Sequence, residues 1–256
     1  MRVTVLGCGT SGGVPMIGCR CRVCRSPDPK NKRRRCSILV EWQGQAILVD
    51  AGPDLRMQLL DADVAVLDAV LFTHAHADHI HGIDELRSVN NVIKRPLPAY
   101  AAPAVFEHIR ARFGYAFQDS LGSEGFWRPQ LVPHPIDGPF RIGPCEIVPL
   151  RQMHGASESW GFRFGRFAYS PDCSELPEET FAALEGIEFW IVDALRDRPH
   201  PTHAHLARTL EWIARVRPRR AWLTHTNHEV DWADWASRLP EGVVPAYDGL
   251  VIELDE

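Results

Sequence analysis

One seven-residue stretch, Thr73-His-Ala-His-Ala-Asp-His79, concentrates metal-binding side chains in this sequence. Imidazole nitrogens and carboxylate oxygens are the ligands by which proteins bind Zn²⁺ and other divalent ions. In extended backbone, residues two apart point the same way, so His74 and His76 can bind one ion. The side chains of Asp78 and His79 are expected to point to another side of this stretch and can bind a second ion. The stretch predicts a dinuclear metal centre; a polar loop or a single structural metal is the simpler alternative.

The elements around this stretch would place it in a loop between a strand and a helix. The apolar run 69–72 predicts a short buried strand, and apolar residues recur at helical spacing over 80–92. Asp78 stands where that helix would begin. Asp50 ends a predicted hairpin over 37–50 and is expected to orient a metal-bound histidine rather than to bind metal itself. A loop held between such elements is a common location for an active site.

Two metal ions need more ligands than this stretch supplies, and three candidates each follow a predicted strand: His154, Asp172 and His225. A carboxylate that bridges two cations holds them about 3.5–4 Å apart, where they polarise a phosphoryl oxygen and activate a shared water. A consistent assignment puts His74, His76 and His154 on the first ion, puts Asp78, His79 and His225 on the second, and makes Asp172 the bridge.

Three of the seven cysteines, Cys19, Cys21 and Cys24, form a second cluster. This spacing suits a thiolate metal site in a reducing compartment better than a disulfide framework. Zn²⁺ in a closed structural site would take a fourth ligand. Free thiols and an iron–sulfur cluster are the alternatives. The remaining cysteines are scattered and are expected to be buried and inert: Cys8, Cys36, Cys145 and Cys173.

The composition bounds the fold and the partners. With 256 residues, 45% of them hydrophobic and 24% charged, the chain can form one large α/β domain or two small ones. Hairpin-rich sequence followed by βα units occurs in both halves, which favours an αββα layering in one domain over 1–256. The net charge of −5 weighs against nucleic acid as a partner. The basic run 30–35 is expected to be a solvated loop.

Neither a membrane span nor a signal peptide is predicted from the sequence. No apolar run approaches the ~20 residues of a membrane span, so no membrane partner is expected. The first residues predict a strand and do not resemble a signal peptide. The expected location is the cytoplasm.

The motifs together resemble the metallo-β-lactamase superfamily. Thr73–His79 matches its hallmark, and Asp50, His154, Asp172 and His225 match its remaining motifs in order. More narrowly, several segments resemble the PhnP-type phosphoribosyl cyclic phosphodiesterases: Leu6-Gly-Cys-Gly-Thr-Ser-Gly-Gly-Val-Pro15, the cysteine cluster, Pro201-Thr-His203 and Leu223-Thr-His-Thr-Asn-His228.

The resemblance implies an αββα four-layer sandwich of two mixed sheets flanked by helices. It implies two divalent ions in the active site, Mn²⁺ or Zn²⁺, and one structural Zn²⁺ with His228 as its fourth ligand. It places His203 near the metals but not on them, as an acid for the leaving oxygen, while Asp172 holds the attacking metal-bound hydroxide. The alternative for His203 is a solvent-facing residue at a helix N-terminus. The neighbouring His205 leaves open which of the two contacts substrate.

The implied substrate is a small phosphorylated molecule, 5-phosphoribosyl 1,2-cyclic phosphate, with 2′,3′-cyclic nucleotides as alternatives. A homodimer is also implied, although no apolar patch in the sequence supports it. Three rivals stay open: a tRNA 3′-processing nuclease, a thioester or lactone hydrolase of the same superfamily, and a metal-bound sensor or binding protein. The nuclease would require a protruding RNA-binding arm and a more basic surface, which the sequence does not show.

Overall fold

The computed structural model describes residues 1–119, 121–122 and 125–254. The chain divides into two compact units. Unit 1 comprises Met1–Leu6, Ser37–Cys145 and Gly249–Glu256, and unit 2 comprises Gly7–Cys36 and Glu146–Asp248. That the whole of 1–256 is a single domain stays a prediction.

The secondary structure of the described residues alternates strands with short helices. The strands are β1 (Arg2–Gly7), β2 (Ser37–Trp42), β3 (Gln45–Val49), β4 (Ala69–Leu71), β5 (Leu97–Ala101), β6 (Leu121–Gly122), β7 (Gly125–Phe126), β8 (Leu131–Pro135), β9 (Phe140–Ile142), β10 (Cys145–His154), β11 (Ser157–Phe164), β12 (Phe167–Ser170), β13 (Phe189–Asp193), β14 (Arg220–Thr224), β15 (Val243–Pro245) and β16 (Val251–Glu253). The α-helices are α1 (Leu55–Asp61), α2 (Ala77–Ile80), α3 (Leu86–Ile93), α4 (Pro103–Phe113), α5 (Glu178–Ala183), α6 (Leu206–Val216) and α7 (Trp232–Arg238). Short 3₁₀ turns cover Pro29–Asn31, Ile83–Glu85 and Gly114–Phe117. None of the helices in the described ranges is long and apolar enough to cross a membrane.

The sheet of unit 1 has the strand order β16-β1-β2-β3-β4-β5-β8. Its β2–β3 hairpin is antiparallel and turns at Gln43 and Gly44, whose φ angles of 49° and 78° suit the tight turn that the sequence predicts. From β3 onward the strands β3, β4, β5 and β8 run parallel. In a parallel run, the carboxyl ends of the strands meet at one edge of the sheet. Thr73–His79 follows β4 at that edge.

The second seven-stranded sheet has the order β15-β14-β13-β12-β11-β10-β9. The strands β10, β11 and β12 are antiparallel, and β12 to β15 are parallel. The core of unit 2 is rich in aromatic side chains, with Trp190, Trp212 and Trp235 all buried. Leu206, Thr209 and Trp212 form the buried stripe of α6, at the spacing of three residues that a helix presents on one side.

The helix predicted over 80–92 is broken in the structure. It appears as α2, a 3₁₀ turn and α3, with Gly82 at the break. Gly82 donates a backbone hydrogen bond to Ala51 O at 2.8 Å, and a Cβ at this position would collide with the carbonyl oxygen of Gly52. The backbone after Asp50 therefore lies directly against the segment that follows the histidine stretch, which helical periodicity alone does not indicate.

The apolar residues Leu206, Leu210 and Ile213 predict a helix over 202–216, but α6 begins only at Leu206. Residues before it bond to other segments: Ala204 N donates to Cys173 O at 2.6 Å, and Leu195 N donates to Ala204 O at 2.9 Å. The N–H and the carbonyl of Ala204 thus bond to other segments, and His203 lies in a bend before α6 rather than on a helix.

The glycines and aromatic residues of 114–139 predict a long irregular stretch, but the structure forms β6, β7 and the edge strand β8 there. Asn91 on α3 holds β7, because its side chain accepts from Phe126 N and donates to Phe126 O, both at 2.9 Å. Ser120, Ser123 and Glu124, which belong to the same predicted stretch, lie outside the described residues.

Candidate metal centres

The histidine stretch of unit 1 occupies the connection from β4 to α2. His74 is buried, whereas His76, which immediately precedes α2, is exposed. His74 Nε2 lies 3.0 Å from His76 Nδ1. Two nitrogens that each bind one ion at about 2.1 Å with an angle near 90–110° would lie about 3.0–3.4 Å apart. The pair therefore has the spacing of two ligands on one ion, as the alternation of residues predicts.

Asp50 organises the other end of this stretch from a fully buried position. Its Oδ2 accepts from His79 Nδ1 at 2.7 Å and from Thr73 Oγ1 at 2.8 Å, while its Oδ1 accepts from Thr73 N at 2.9 Å. Donation from Nδ1 places the lone pair of His79 on Nε2, which lies 3.3 Å from Asp78 Oδ2. Burial raises the pKa of Asp50, and the His79 ring opposes that shift. Asp50 thus contacts His79 in the way expected of a carboxylate that orients a ligand.

Unit 2 contributes a second group of candidate ligands, each just past a strand. His154 ends β10, Asp172 follows β12, and His225 directly follows β14. His225 Nε2 lies 3.2 Å from Asp172 Oδ2, and both side chains are nearly fully buried. His154 Nδ1 donates to Thr202 O at 2.6 Å, which places the lone pair of that ring on Nε2. The donor set consists of imidazole nitrogens and a carboxylate, which is the set that divalent ions such as Zn²⁺ and Mn²⁺ accept.

Three of these site residues have left-handed backbone, which is costly for a residue other than glycine. The φ angles are 65° at Asp50, 38° at Asp172 and 56° at His225. Such strain persists only where the surrounding structure holds it, and it concentrates at functional sites. Asp50 is held by a bond from its N to Leu71 O at 2.8 Å, and Asp172 is held by a bond from Ser159 Oγ to its carbonyl at 2.7 Å.

His203 contacts two of the candidate ligands in unit 2. Its ring stacks on His225 with centroids 4.4 Å apart at 14°, and its edge meets His154 at 4.6 Å. Its Nδ1 lies 3.0 Å from Oδ2 of Asp193, and the side chain is 11% exposed. His205 makes no such ring contact among the described residues. The solvent-facing alternative for His203 is therefore wrong.

Asp193 is a site residue that the sequence analysis missed. It ends β13 and is fully buried. Its Oδ2 contacts His203 and also accepts from Cys173 N at 2.9 Å, and its carbonyl accepts from Thr209 Oγ1 at 2.7 Å. One oxygen of this carboxylate thus holds both His203 and the backbone that follows Asp172. Asp193 is an acidic residue at the end of an apolar strand, and Asp172 lies just after one. This shared position is the sequence signal that could have identified Asp193.

The cysteine cluster of unit 2 includes His228. One ligand atom from each of Cys19, Cys21, Cys24 and His228 lies within 4.8 Å of every other. Cys19 Sγ and Cys21 Sγ each lie 3.6 Å from His228 Nδ1. Ligands at Zn–S and Zn–N bond lengths with tetrahedral angles would lie about 3.6 Å apart. The four side chains therefore fit a closed zinc site.

The electrostatics of this cluster favour a thiolate at one cysteine. The backbone N–H of Cys24, 3.4 Å from Cys21 Sγ, and the His228 ring lower the pKa of Cys21 to about 6. Burial raises the pKa of Cys24 to about 11. A metal ion that bound all three sulfurs would therefore displace a proton from Cys24.

The loop that carries the cysteines is tied to the segment that carries His228 by residues of the basic run. Arg33 is 2% exposed and donates to Asn227 O at 3.0 Å and to Val230 O at 2.8 Å. The Lys30 ammonium lies 3.5 Å above the Trp232 ring. The expectation of a solvated loop is therefore wrong for these two residues, because their charges serve contacts within unit 2.

The four scattered cysteines are buried, as predicted: Cys8, Cys36, Cys145 and Cys173. Burial raises the pKa of Cys8 and of Cys173 well above the usual range, which keeps these two thiols protonated and unreactive.

Residues 45–226 match the family model described as the beta-lactamase superfamily domain. A crystal structure of a new diphosphatase from the PhnP family superposes with a TM-score of 0.92 and 33% identity, over 99% of this chain and 98% of that chain. Zn²⁺-bound PqqB from Methylobacterium extorquens superposes with a TM-score of 0.79 and 21% identity, over 99% and 100% of the two chains, which speaks for the fold alone.

The octanoyltransferase of Porphyromonas gingivalis is 36% identical over 259 residues, which cover 100% of this chain and 52% of that protein. The chain thus spans about half the length of this relative. The fold class predicted from the sequence, an αββα four-layer sandwich with two mixed sheets flanked by helices, is confirmed by the two seven-stranded sheets and by the superposition on the diphosphatase.

Proposed function

We propose a reaction and a substrate class for this chain, which belongs to the metallo-β-lactamase superfamily and is a metal-dependent hydrolase. The proposed reaction is the hydrolysis of a small cyclic phosphodiester, with 5-phosphoribosyl 1,2-cyclic phosphate as the reference substrate and 2′,3′-cyclic nucleotides as alternatives. The observation that carries it is the likeness to a PhnP-family diphosphatase along 99% of the chain at 33% identity.

The proposed metal ligands are those indicated by the sequence. The first ion takes His74, His76 and His154, the second takes Asp78, His79 and His225, and Asp172 bridges the two. Bound divalent ions, Mn²⁺ or Zn²⁺, would polarise a phosphoryl oxygen and lower the pKa of a water. Within unit 1 the 3.0 Å spacing of His74 and His76 supports this assignment, and within unit 2 the 3.2 Å spacing of Asp172 and His225 does so. A structural Zn²⁺ on Cys19, Cys21, Cys24 and His228 completes the proposal.

His203 is the proposed acid for the leaving oxygen. Because Asp193 Oδ2 accepts from Nδ1, the proton that His203 can transfer is the one on Nε2. The buried Asp193 carboxylate also stabilises the imidazolium form and holds the ring against His225. Asp172 would hold the attacking water in line with the phosphorus, and Asp50 would keep the His79 ring in its binding orientation.

The acid role makes a prediction that depends on the leaving group. We expect His203→Ala to lower kcat about 10²- to 10³-fold on a cyclic diester, whose leaving group is an alkoxide that needs a proton. On a p-nitrophenyl phosphodiester, whose leaving group departs as a stable anion, the loss should be under about tenfold. Steady-state rates on both esters provide the measurement, and His205→Ala, which should change neither, is the matched control. Equal losses on both esters would show that His203 is not the acid.

A second candidate reaction is the hydrolysis of a diphosphate, in which the bond broken is a phosphoric anhydride. The description of the structural neighbour as a diphosphatase favours it. The same ligands and the same acid would serve, since both reactions displace an oxygen from phosphorus. The two candidates differ only in the leaving group, a sugar alkoxide or a phosphate.

A nuclease acting on precursor tRNA is less well supported. Arg33 and Lys30 of the basic run are used in contacts within unit 2, and the net charge is −5. Binding to RNA depends on a set of cationic side chains that can reach phosphates, and these two are already engaged within unit 2.

The test removes all metal, reloads the protein with Mn²⁺ or Zn²⁺ singly, and assays a substrate panel. The panel holds 5-phosphoribosyl 1,2-cyclic phosphate, a 2′,3′-cyclic nucleotide, a diphosphate ester, a thioester, a lactone and precursor tRNA. The expected result is a kcat/KM for a cyclic diester at least about 10²-fold above those for the thioester and lactone. Brisk turnover of a thioester with none of any phosphate ester would refute the proposal.

A further inference from the structure

One arginine of unit 1 is attached to the backbone of the histidine stretch. Arg112, in the last turn of α4, donates from Nη1 to Ala75 O at 3.3 Å and to His108 O at 3.3 Å. Ala75 is the residue between His74 and His76. The guanidinium is therefore fixed beside two candidate ligands of one ion, although it belongs to a different helix.

The end of α4 is held in this place by two further contacts. The ring of Phe113 meets the ring of His81 edge to face at 5.5 Å, and Tyr115 Oη donates to Asp84 Oδ1 at 2.8 Å. Three attachments, at residues 112, 113 and 115, thus join this end of the helix and the turn after it to the segment 75–84. A cation placed in this way is pre-organised, because little side-chain entropy remains to be lost when an anion binds.

Arg112 has no acidic partner in the described part of the chain. No carboxylate there lies within 4.0 Å of its guanidinium, and its Nε and Nη2 donate no hydrogen bond to those residues, while the side chain is exposed. Many other arginines are paired: Arg151 contacts Glu158 and Arg238 contacts Asp197. The Nε–Nη2 edge of a guanidinium is the edge that binds a phosphate with two parallel hydrogen bonds.

Two nearby arginines are occupied differently. Arg87, on α3, donates to Trp127 O at 3.3 Å. Arg110 precedes Arg112 by two residues on α4. Its guanidinium carbon lies 5.9 Å and 5.5 Å from the centroids of the Phe106 and Phe117 rings. Neither bonds to the backbone between His74 and His76.

We propose that Arg112 forms a subsite for a terminal phosphate monoester of the substrate, separate from the phosphodiester that is cleaved. This inference rests on the proposed function and sharpens it, because it selects substrates that carry a second phosphate group. A phosphorylated sugar cyclic diester satisfies the subsite, and a 2′,3′-cyclic nucleoside phosphate with a free 5′-hydroxyl does not.

The experiment compares 5-phosphoribosyl 1,2-cyclic phosphate with ribose 1,2-cyclic phosphate, which lacks the terminal phosphate. For Arg112→Ala we expect the ratio of their kcat/KM values to fall about 10- to 100-fold, mainly through KM, since a charged hydrogen-bonded contact is lost. Arg112→Lys keeps the charge without the two-pronged edge and should lose less. Arg110→Ala, on the same helix and equally exposed, should leave the ratio unchanged. An unchanged ratio in Arg112→Ala, or an equal fall in Arg110→Ala, would overturn the subsite.

A binding measurement separates this inference from the proposed reaction. Ribose 5-phosphate titrated into the metal-loaded protein by calorimetry should bind the wild type and Arg110→Ala at least about tenfold more tightly than Arg112→Ala. Equal affinity for all three proteins would refute the subsite, whatever the enzyme hydrolyses. If ribose 5-phosphate binding depends on Arg112 while no phosphodiester is turned over, the subsite stands and the proposed reaction is the part that fails.

Discussion

Replacing Asp172 with Asn is expected to lower phosphodiester hydrolysis by about 10³-fold or more while the protein stays folded. The carboxylate is 2% exposed, and its Oδ2 lies 3.2 Å from His225 Nε2. An amide has the same shape but no negative charge, so it cannot neutralise two cations or hold an attacking water between them. The metal content of Asp172→Asn should fall together with its activity.

The backbone around Asp172 gives a reason to expect an intact fold. Its φ of 38° lies in the left-handed region, which Asn tolerates as well as Asp does. The local hydrogen bonds use backbone atoms: Ser159 Oγ donates to Asp172 O at 2.7 Å, and Gln152 Nε2 donates to Pro171 O at 2.9 Å. These bonds do not need the carboxylate.

The measurement pairs kcat with metal analysis and a thermal melt. Asp197→Asn is the matched control, since Asp197 is an exposed carboxylate that pairs with Arg238 and has no proposed role at the metals. It should retain full activity and full metal content. If Asp172→Asn keeps more than about a tenth of the wild-type rate with its metals bound, Asp172 is not the bridging ligand.

The second large effect concerns stability. Cys21→Ser is expected to remove one zinc ion per chain and to lower the free energy of unfolding by about 3 kcal/mol or more, because metal binding at a folded site is folding free energy. Cys21 is one of the three candidate sulfur ligands of this site. Its pKa of about 6 makes it a thiolate at neutral pH, and its Sγ contacts both His228 Nδ1 and the Cys24 N–H.

The consequence should extend beyond the cysteine loop. His228 lies three residues after His225, and Arg33 ties the cysteine-bearing loop to the carbonyls of Asn227 and Val230. Loss of the zinc would therefore loosen the segment that carries a proposed active-site ligand. Turnover should fall as well, but by less than in Asp172→Asn.

Zinc analysis and chemical denaturation with and without a chelator test this prediction. Chelation should lower the stability of the wild type to that of Cys21→Ser and change the stability of the variant much less. Cys145→Ser serves as the control for zinc content, because Cys145 is buried in unit 1 and donates to Trp42 O at 3.1 Å. An unchanged zinc content and melting temperature in Cys21→Ser would mean that the four side chains do not hold a metal.

Much of the candidate site follows from local sequence. The stretch 73–79 carries its own spacing, and the 3.0 Å approach of His74 and His76 is what alternation in extended backbone predicts. The strands before Asp172 and His225 are largely apolar runs whose ends can be read directly, whereas His154 is the last residue of β10. The contact between Asp50 and His79 also follows from the sequence, because a ligand histidine commonly donates its second nitrogen to a carboxylate.

The tertiary structure decided the points at which distant segments approach one another. Helical periodicity continues across 80–92, and only the close approach of the backbone of Gly52 explains why the helix breaks at Gly82. Propensity likewise extends the later helix over 202–205, whereas the bond from Ala204 N to Cys173 O keeps that segment out of the helix, and His203 lies against Asp193. Arg112 carries no local signal at all.

The sequence by itself therefore determined the candidate metal-binding residues, their order along the chain and the superfamily. Only the tertiary structure decided which other residues contact those candidate ligands and the segments that carry them. Ligand spacing is set by the backbone over two to five residues, where the periods of strands and helices apply. The partners of His203 and the anchoring of Arg112 depend on hydrogen bonds between segments tens of residues apart, and no local period encodes those.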